Sequence, residues 1–450
     1  MNQLIKKTLI IQALLLFSSV KISAQESGGS FNLQQSIDFA LKNNAAYLNS
    51  DLDLKSAHHK RKEITGLAFP QISASADLKN YLDLPTSLLP GEFFGAPPGT
   101  FIPVRFGTKY NSTAGINASQ ILLSSDLFMG IRASKEFINL SNININRTKA
   151  EIISQVSKAY YTALINQQRI KLIDANIVKL KKIFDDTKAL NQQGYVELID
   201  VERLEVNYNN LNTERDKVAK LVELSIHLLK FQMGYKISDP ILLSDSLNID
   251  GAEENILSAT KIDVSKRPEY QLLQTQQKML ELDVKRNKLG YLPSIAAYGA
   301  YQYNAQRQEF DLFDTNLPWF KIALIGGTIN LNIFDGLQRH HKIQQAKIAA
   351  LKNENNIKNL ELATELEATA AAIAYSNAFA SLQTQKKNMI LAEHIYDSAQ
   401  KKFTNGVGSN LEILNAETSM KEAQTNYLNA AYDLLISKTD YLKATGNLIK

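Results

Sequence analysis

One stretch of this chain occurs twice, and the duplication narrows its possible folds more than any bulk property does. Gly194 to Gly234, shifted by 212 positions without a gap, falls on Gly406 to Gly446. Glycine meets glycine at both ends, Asp200 meets Glu412, Val201 meets Ile413, Glu205 meets Glu417 and Ala219 meets Ala431. In the first copy Val201, Leu204, Tyr208, Leu211, Val218, Val222 and Leu229 recur at steps of three and four, interrupted at Arg215 and Ser225. The second copy keeps the phase through Ile413, Ala416, Met420, Ala423, Tyr427, Ala430, Leu434, Ser437, Tyr441 and Ala444. Such spacing predicts a helix with a coiled-coil seam in each copy. Glycine before and after each is the usual punctuation of a helix pair. The period is too long for a solenoid, so the chain is read as a duplicated half-chain.

The remaining segments fit two such halves. Residues 31–66 show a helical face of Leu33, Ile37, Ala40 and Leu41 and are expected to form one helix up to Phe69-Pro70. The period then drops to two: Ile72, Ala74, Ala76 and Leu78 oppose Ser73, Ser75, Asp77 and Lys79, and a second strand runs over about 110–122. Between them, residues 83–109 hold five of the ten prolines and read as a long irregular loop. About 126–190 is predicted as one helix with a seam through Ile152, Val156, Ala159, Ala163, Ile173 and Leu180, on the order of 100 Å long at ~1.5 Å per residue. After a mixed linker at 235–265 the pattern repeats. A helix begins near Arg267-Pro268-Glu269, strands follow at about 292–304 and 321–333, Phe334-Asp335-Gly336 turns the chain, and a long helix covers about 337–403.

Residues 1–24 read as a secretory signal: Lys6-Lys7, an apolar run from Thr8 to Val20, then Ile22-Ser23-Ala24. The run is too short to span a membrane comfortably. Of the net charge of +5, three positive charges (Lys6, Lys7, Lys21) lie in this leader, so nothing in the balance calls for nucleic acid. Cysteine is absent, which excludes disulfides, thiolate nucleophiles and zinc–thiolate sites. The adjacent pairs His58-His59 and His340-His341 lack the i, i+4 spacing of a helical metal site. Glu365, Glu367, Asp185 and Asp186 have no partner constellation for acid–base chemistry, so no enzyme and no cofactor is expected.

Any membrane contact must then be made by strands. Four strands cannot close a barrel alone, and an open sheet edge is prohibitive in lipid, so closure requires several copies. Tyr81, Tyr110, Tyr301, Tyr303, Trp319 and Phe320 lie near the strand ends, where an interfacial aromatic belt would sit. In this arrangement the chain resembles the TolC-like outer-membrane efflux proteins. The likeness is carried by Phe31-Asn32-Leu33 through Ala40-Leu41 and Asn44, Arg267-Pro268-Glu269, Leu292-Pro293-Ser294, and Phe334-Asp335-Gly336. Gly194 through Asp200-Val201 and Val407-Gly408 through Leu414-Asn415-Ala416 complete it.

The resemblance implies a mainly α-helical fold with a small membrane β-barrel part. Two structural repeats (25–234 and 266–450) flank an equatorial segment, 235–265. A homotrimer would join its strands in one twelve-stranded barrel in the outer membrane, with a helical barrel continuing into the periplasm. Implied partners are outer-membrane lipid, a periplasmic adaptor and an inner-membrane pump of the RND or ABC type. The turns at Gly194, Tyr195, Val196 and at Gly406, Val407, Gly408 would dock the adaptor. Glu412, with Asn415 beside it and Asp200 as its counterpart in the first half, would line the constriction. The alternative without the resemblance is an exported coiled-coil structural protein.

Overall fold

Asn32 starts the first helix by a reciprocal capping arrangement: its side chain accepts from the Gln35 N–H, and the Gln35 side chain accepts from the Asn32 N–H. The computed structural model describes residues 29–247 and 263–449, so the signal segment and residues 248–262 of the 235–265 linker lie outside the described residues. In chain order the elements are β1 (Ser30–Phe31), α1 (Leu33–Asn43), α2 (Ala45–Gly66), β2 (Gln71–Asn80), β3 (Thr86–Pro90), β4 (Phe101–Arg105), β5 (Tyr110–Leu123) and α3 (Ser125–Gln192). Then come α4 (Leu198–Met233), β6 (Leu242–Leu243), α5 (Pro268–Leu289), β7 (Ser294–Arg307), β8 (Phe320–Asn330), α6 (Gln338–Thr404) and α7 (Asn410–Ala444).

Three expectations are corrected. The helix expected over 31–66 is broken at Asn44, whose backbone is extended (φ −68°, ψ 127°). Its side chain caps α2 by accepting from the Ala46 N–H and donates to the Gln232 carbonyl at the end of α4, so one residue serves two helix ends. The 83–109 segment is not wholly irregular: β3 and β4 pair antiparallel, Leu89 opposite Ile102, around a single 3-10 turn at Gly91–Phe94. The last strand stops at Asn330, and Leu331 to Ile333 lie beyond it.

The described residues fall into two compact units, and each repeat contributes to both. One contains α1, α4, α7 and the parts of α3 and α6 beyond Thr148 and Glu367. Its interior follows the predicted seams. Leu204, Leu211 and Val218 of α4 pack with Ile173 and Leu180 of α3, with Tyr396 and Ala399 of α6, and with Ile413, Ala416 and Met420 of α7. A second cluster joins Ile37 and Ala40 to Val156, Tyr160, Leu229 and Met233. There the Tyr160 hydroxyl donates to Asp245, which also accepts from the Leu33 N–H; burial first, and the Asp245 carboxylate second, hold the phenol far above its ordinary titration range. Asp245 thus joins the start of α1 to the parallel pairing of β1 with β6.

The other unit carries the four-stranded antiparallel sheet, in the order β2-β5-β7-β8. The centre of the sheet is where the two repeats meet, β5 pairing with β7 from Tyr110–Arg307 to Leu123–Ile295. In the same unit Arg267, almost fully buried just before α5, donates to Glu367 at 2.7 Å and Glu269 at 3.2 Å. Burial works against its charge, but the two carboxylates outweigh it and raise the pKa further. The Arg-Pro-Glu motif is therefore a clamp fastening α5 to α6.

Candidate site: a two-faced sheet and a twinned helical turn

Register gives the sheet two chemically distinct faces. Ile72 stands opposite Ala118, Ala118 opposite Gly299, and Gly299 opposite Ile325; one row along, Ala74, Ile116, Tyr301 and Ala323 align. This face is small and apolar. The alternate residues make a polar ladder: Asn117 donates to Ser75 (3.2 Å), Gln302 donates to Asn117 (2.8 Å), and Asn304 donates to Thr113 (2.9 Å). Phe320, Ile322 and Leu324, on the edge strand β8, interrupt the polar face. Where the strands meet the helices of this unit lies a recess of about 800 Å³, lined by Asp126, Arg286, Asn330, Asp335, Arg339 and Lys342 among others.

The six aromatics singled out in the sequence lie toward the sheet end farther from the helix attachments. Tyr81 follows β2 and donates its N–H to the Lys109 carbonyl, and Tyr110 opens β5 with its ring against Phe310 at 5.5 Å. Tyr301 and Tyr303 share the apolar face, their rings edge-on at 5.6 Å and their hydroxyls 3.2 Å apart. Trp319 and Phe320 lie at the start of β8. Among the described residues no strand pairs with the outer edge of β2 or of β8.

In the helical unit, the twofold repeat becomes two copies of one turn. Gly194 and Gly406 both adopt a left-handed backbone, at φ 79° and 75°, as do Gly234 and Gly446 at 70° and 72°. In the first turn the Gly194 N–H donates to Asn191 and the Tyr195 N–H to Leu190. In the second the Gly406 N–H donates to Phe403, and the Val407 and Gly408 N–H groups both donate to the Lys402 carbonyl. The two turns are tied together: buried Asn410 donates its side-chain N–H to the Asp200 carbonyl at 3.0 Å. Large apolar side chains nevertheless stand in solvent here, including Tyr195, Leu198, Val407 and Leu411.

Glu412 and Asn415 share the exposed side of α7, opposite buried Ile413 and Ala416. The Glu412 N–H is capped by the Ser409 hydroxyl, which fixes the start of the helix. Its carboxylate is not isolated, because Lys402 Nζ, from the last turn of α6, lies 2.8 Å away. Asp200 sits in the first turn of α4 with Arg203 at 3.6 Å. Neither cation was evident from the sequence. Lys402 is ten residues from Glu412, and only the geometry of the glycine turn brings them together. One helical turn further on, Glu417 is buried; burial pushes its carboxyl up, partly countered by Lys421 at 3.3 Å. Deeper still, Asn176 of α3 donates to Gln424 of α7, which donates to Glu393 of α6, a polar layer through an otherwise apolar seam. Among the described residues no cluster of His, Asp or Glu could hold a metal ion.

Residues 266–447 match the outer membrane efflux protein family. Over 341 residues the chain is 19% identical to the outer membrane protein TolC of Vibrio cholerae, covering 75% of this chain and 77% of that protein. It is 22% identical over 346 residues to the toluene efflux pump outer membrane protein TtgC of Pseudomonas putida, covering 75% and 69%. The open state of the Neisseria gonorrhoeae MtrE outer membrane channel superimposes with a TM-score of 0.72 at 16% identity, over 93% of this chain and 89% of that one.

Proposed function

We infer from its likeness to the TolC-like outer-membrane efflux proteins that this chain is a passive exit duct of the outer membrane. Three copies close one twelve-stranded barrel, and their helices continue as a tube in the periplasm. A periplasmic adaptor docks around the two turns, and an inner-membrane pump of the RND or ABC type drives cargo through, either small molecules in efflux or a protein in type I secretion. Glu412, Asn415 and Asp200 line the narrow end, and the aromatics at the far end of the sheet mark a membrane interface.

What supports assembly most directly is that the chain leaves edges open in both units. Among the described residues the sheet has two unpaired edges, each of which would expose a row of N–H and C=O groups that lipid cannot satisfy. Leu221, Leu224, Leu228 and Phe231 form an exposed apolar stripe on α4, and Ile373, Leu391 and Ile395 are exposed on α6. A neighbouring copy would supply a partner for each kind of edge. The division of the sheet into a polar and an apolar face matches a pore interior and a lipid exterior. No described helix is long and apolar enough to cross a membrane.

The test is the native mass of the protein extracted from outer membranes in mild detergent. A stable trimer is expected, with pores on reconstitution. A monomer that stays soluble without detergent would favour the exported structural protein instead.

A further inference from the structure

We propose that the narrow end of this duct is charge-balanced rather than anionic, and that Lys402 is the residue that makes it so by pairing with Glu412 within each chain. The proposal rests on the duct reading above, in which Glu412 faces the pore.

The pair is built into the turn. Lys402 closes α6 and Glu412 opens α7, with the ammonium 2.8 Å from the carboxylate. The Lys402 backbone is held in place, since its carbonyl accepts both the Val407 and the Gly408 N–H. The turn wraps so closely that a Cβ at Gly408 would stand 2.9 Å from the Lys402 Cβ. Each charge also sits where a helix end favours it, a cation in a last turn and an anion in a first turn. Lys401 adds a second ammonium to that same last turn.

Both side chains are about half exposed, so the pair stabilises the fold only slightly. Its effect on permeation does not depend on that. Opposite charges in contact present a passing ion with a dipole and no net charge, and the field of a dipole fades well within a Debye length of ~8 Å. The first repeat reaches the same balance by other means. Leu190 occupies the position equivalent to Lys402 and offers no charge, but Arg203, one turn beyond Asp200, lies 3.6 Å from its carboxylate. An acidic ring alone would repel anions; this one, compensated in both halves, places no such barrier before them. Small molecules bearing carboxylate or phosphate groups therefore fall within the cargo range of this duct, together with neutral and cationic ones.

The experiment is the reversal potential of the purified protein in planar bilayers under a potassium chloride gradient. Wild type is expected to discriminate weakly between potassium and chloride. Lys402→Gln should raise the cation-to-anion permeability ratio several-fold, and Glu412→Gln should push it below one. The double variant and the charge exchange K402E/E412K should both return it to the wild-type value, and the exchange supplies the answer if a single variant fails to assemble. A strongly cation-selective wild type whose ratio does not move in Lys402→Gln, or an exchange variant far from wild type, overturns the proposal and leaves the duct reading standing. Absence of any pore from the wild type overturns the duct reading and the proposal with it.

Discussion

Leu337 is the one non-glycine residue with positive φ among those described, at 62°, directly after Gly336 at the same angle. A side chain in this region meets its own backbone at a cost of about 1–2 kcal/mol, and Leu337 is mostly exposed, so little packing offsets it. Leu337→Gly should therefore stabilise the protein by about 0.5–1 kcal/mol, less than the strain because glycine loses more freedom on folding. A rise in the thermal midpoint in detergent checks this. Glu417 stores a different kind of cost. An acid whose folded pKa is raised weakens the fold above that pKa, and the penalty disappears as pH falls to the unfolded value. Glu417→Gln should then stabilise by about 1 kcal/mol at neutral pH and by progressively less as the solution is acidified through the range where Glu417 protonates. A stability difference that stayed constant with pH would show that burial and Lys421 cancel at this carboxyl, and one that changed with the opposite sign would show that Lys421 outweighs burial.

At the scale of elements, the glycines that bracket the repeated helices are unequally constrained. At Gly194 a Cβ would meet nothing within 4 Å, so Gly194→Ala costs only the left-handed backbone, about 1 kcal/mol. At Gly234 the same Cβ would lie 2.6 Å from the Asn43 carbonyl oxygen, where the end of α4 meets the end of α1. Gly234→Ala should cost at least 2–3 kcal/mol, and parallel denaturant titrations of the two variants test the ranking. This contrast marks what could be read from sequence. The left-handed turns, the seams and the strand alternation are local and periodic, and they appeared where the spacing placed them: Val201, Leu204, Leu211 and Val218 are all buried. The break at Asn44 was not legible, because that side chain is recruited by a carbonyl almost two hundred residues away. The hairpin of β3 and β4 was hidden by its prolines, which look like loop residues until Pro90 and Pro103 are seen in a two-stranded ribbon open at both edges. Of the candidate site, the acids and glycines were visible, whereas their basic partners depended on the path of the turn.

For the whole molecule, assembly and folding can be separated. Leu224 and Leu228 lie on the exposed stripe of α4 and outside the buried clusters, so Leu224→Asp with Leu228→Asp should leave the helical circular dichroism of the chain intact. In the proposed assembly a carboxylate pair facing a neighbouring copy is costly to desolvate, and the proposed trimer should dissociate toward monomer on native gels in detergent. Retention of a full trimer would mean that the α4 stripe is covered by something other than a second copy.

The pairing of β5 with β7 also has a consequence for biogenesis. Its partners come from opposite halves of the chain, with all of α3, α4 and α5 between them. Helical hairpins are short-range and form early, whereas this ladder must wait for a very long loop to close. During export the first strand pair therefore emerges with its inner edge unsatisfied and stays so until β7 arrives. In the proposed assembly its outer edge waits longer still, for a neighbouring chain. A nascent chain in that state is a ready template for wrong pairing, so escort through the periplasm matters most for the strands, and least for the helices that make up most of the sequence.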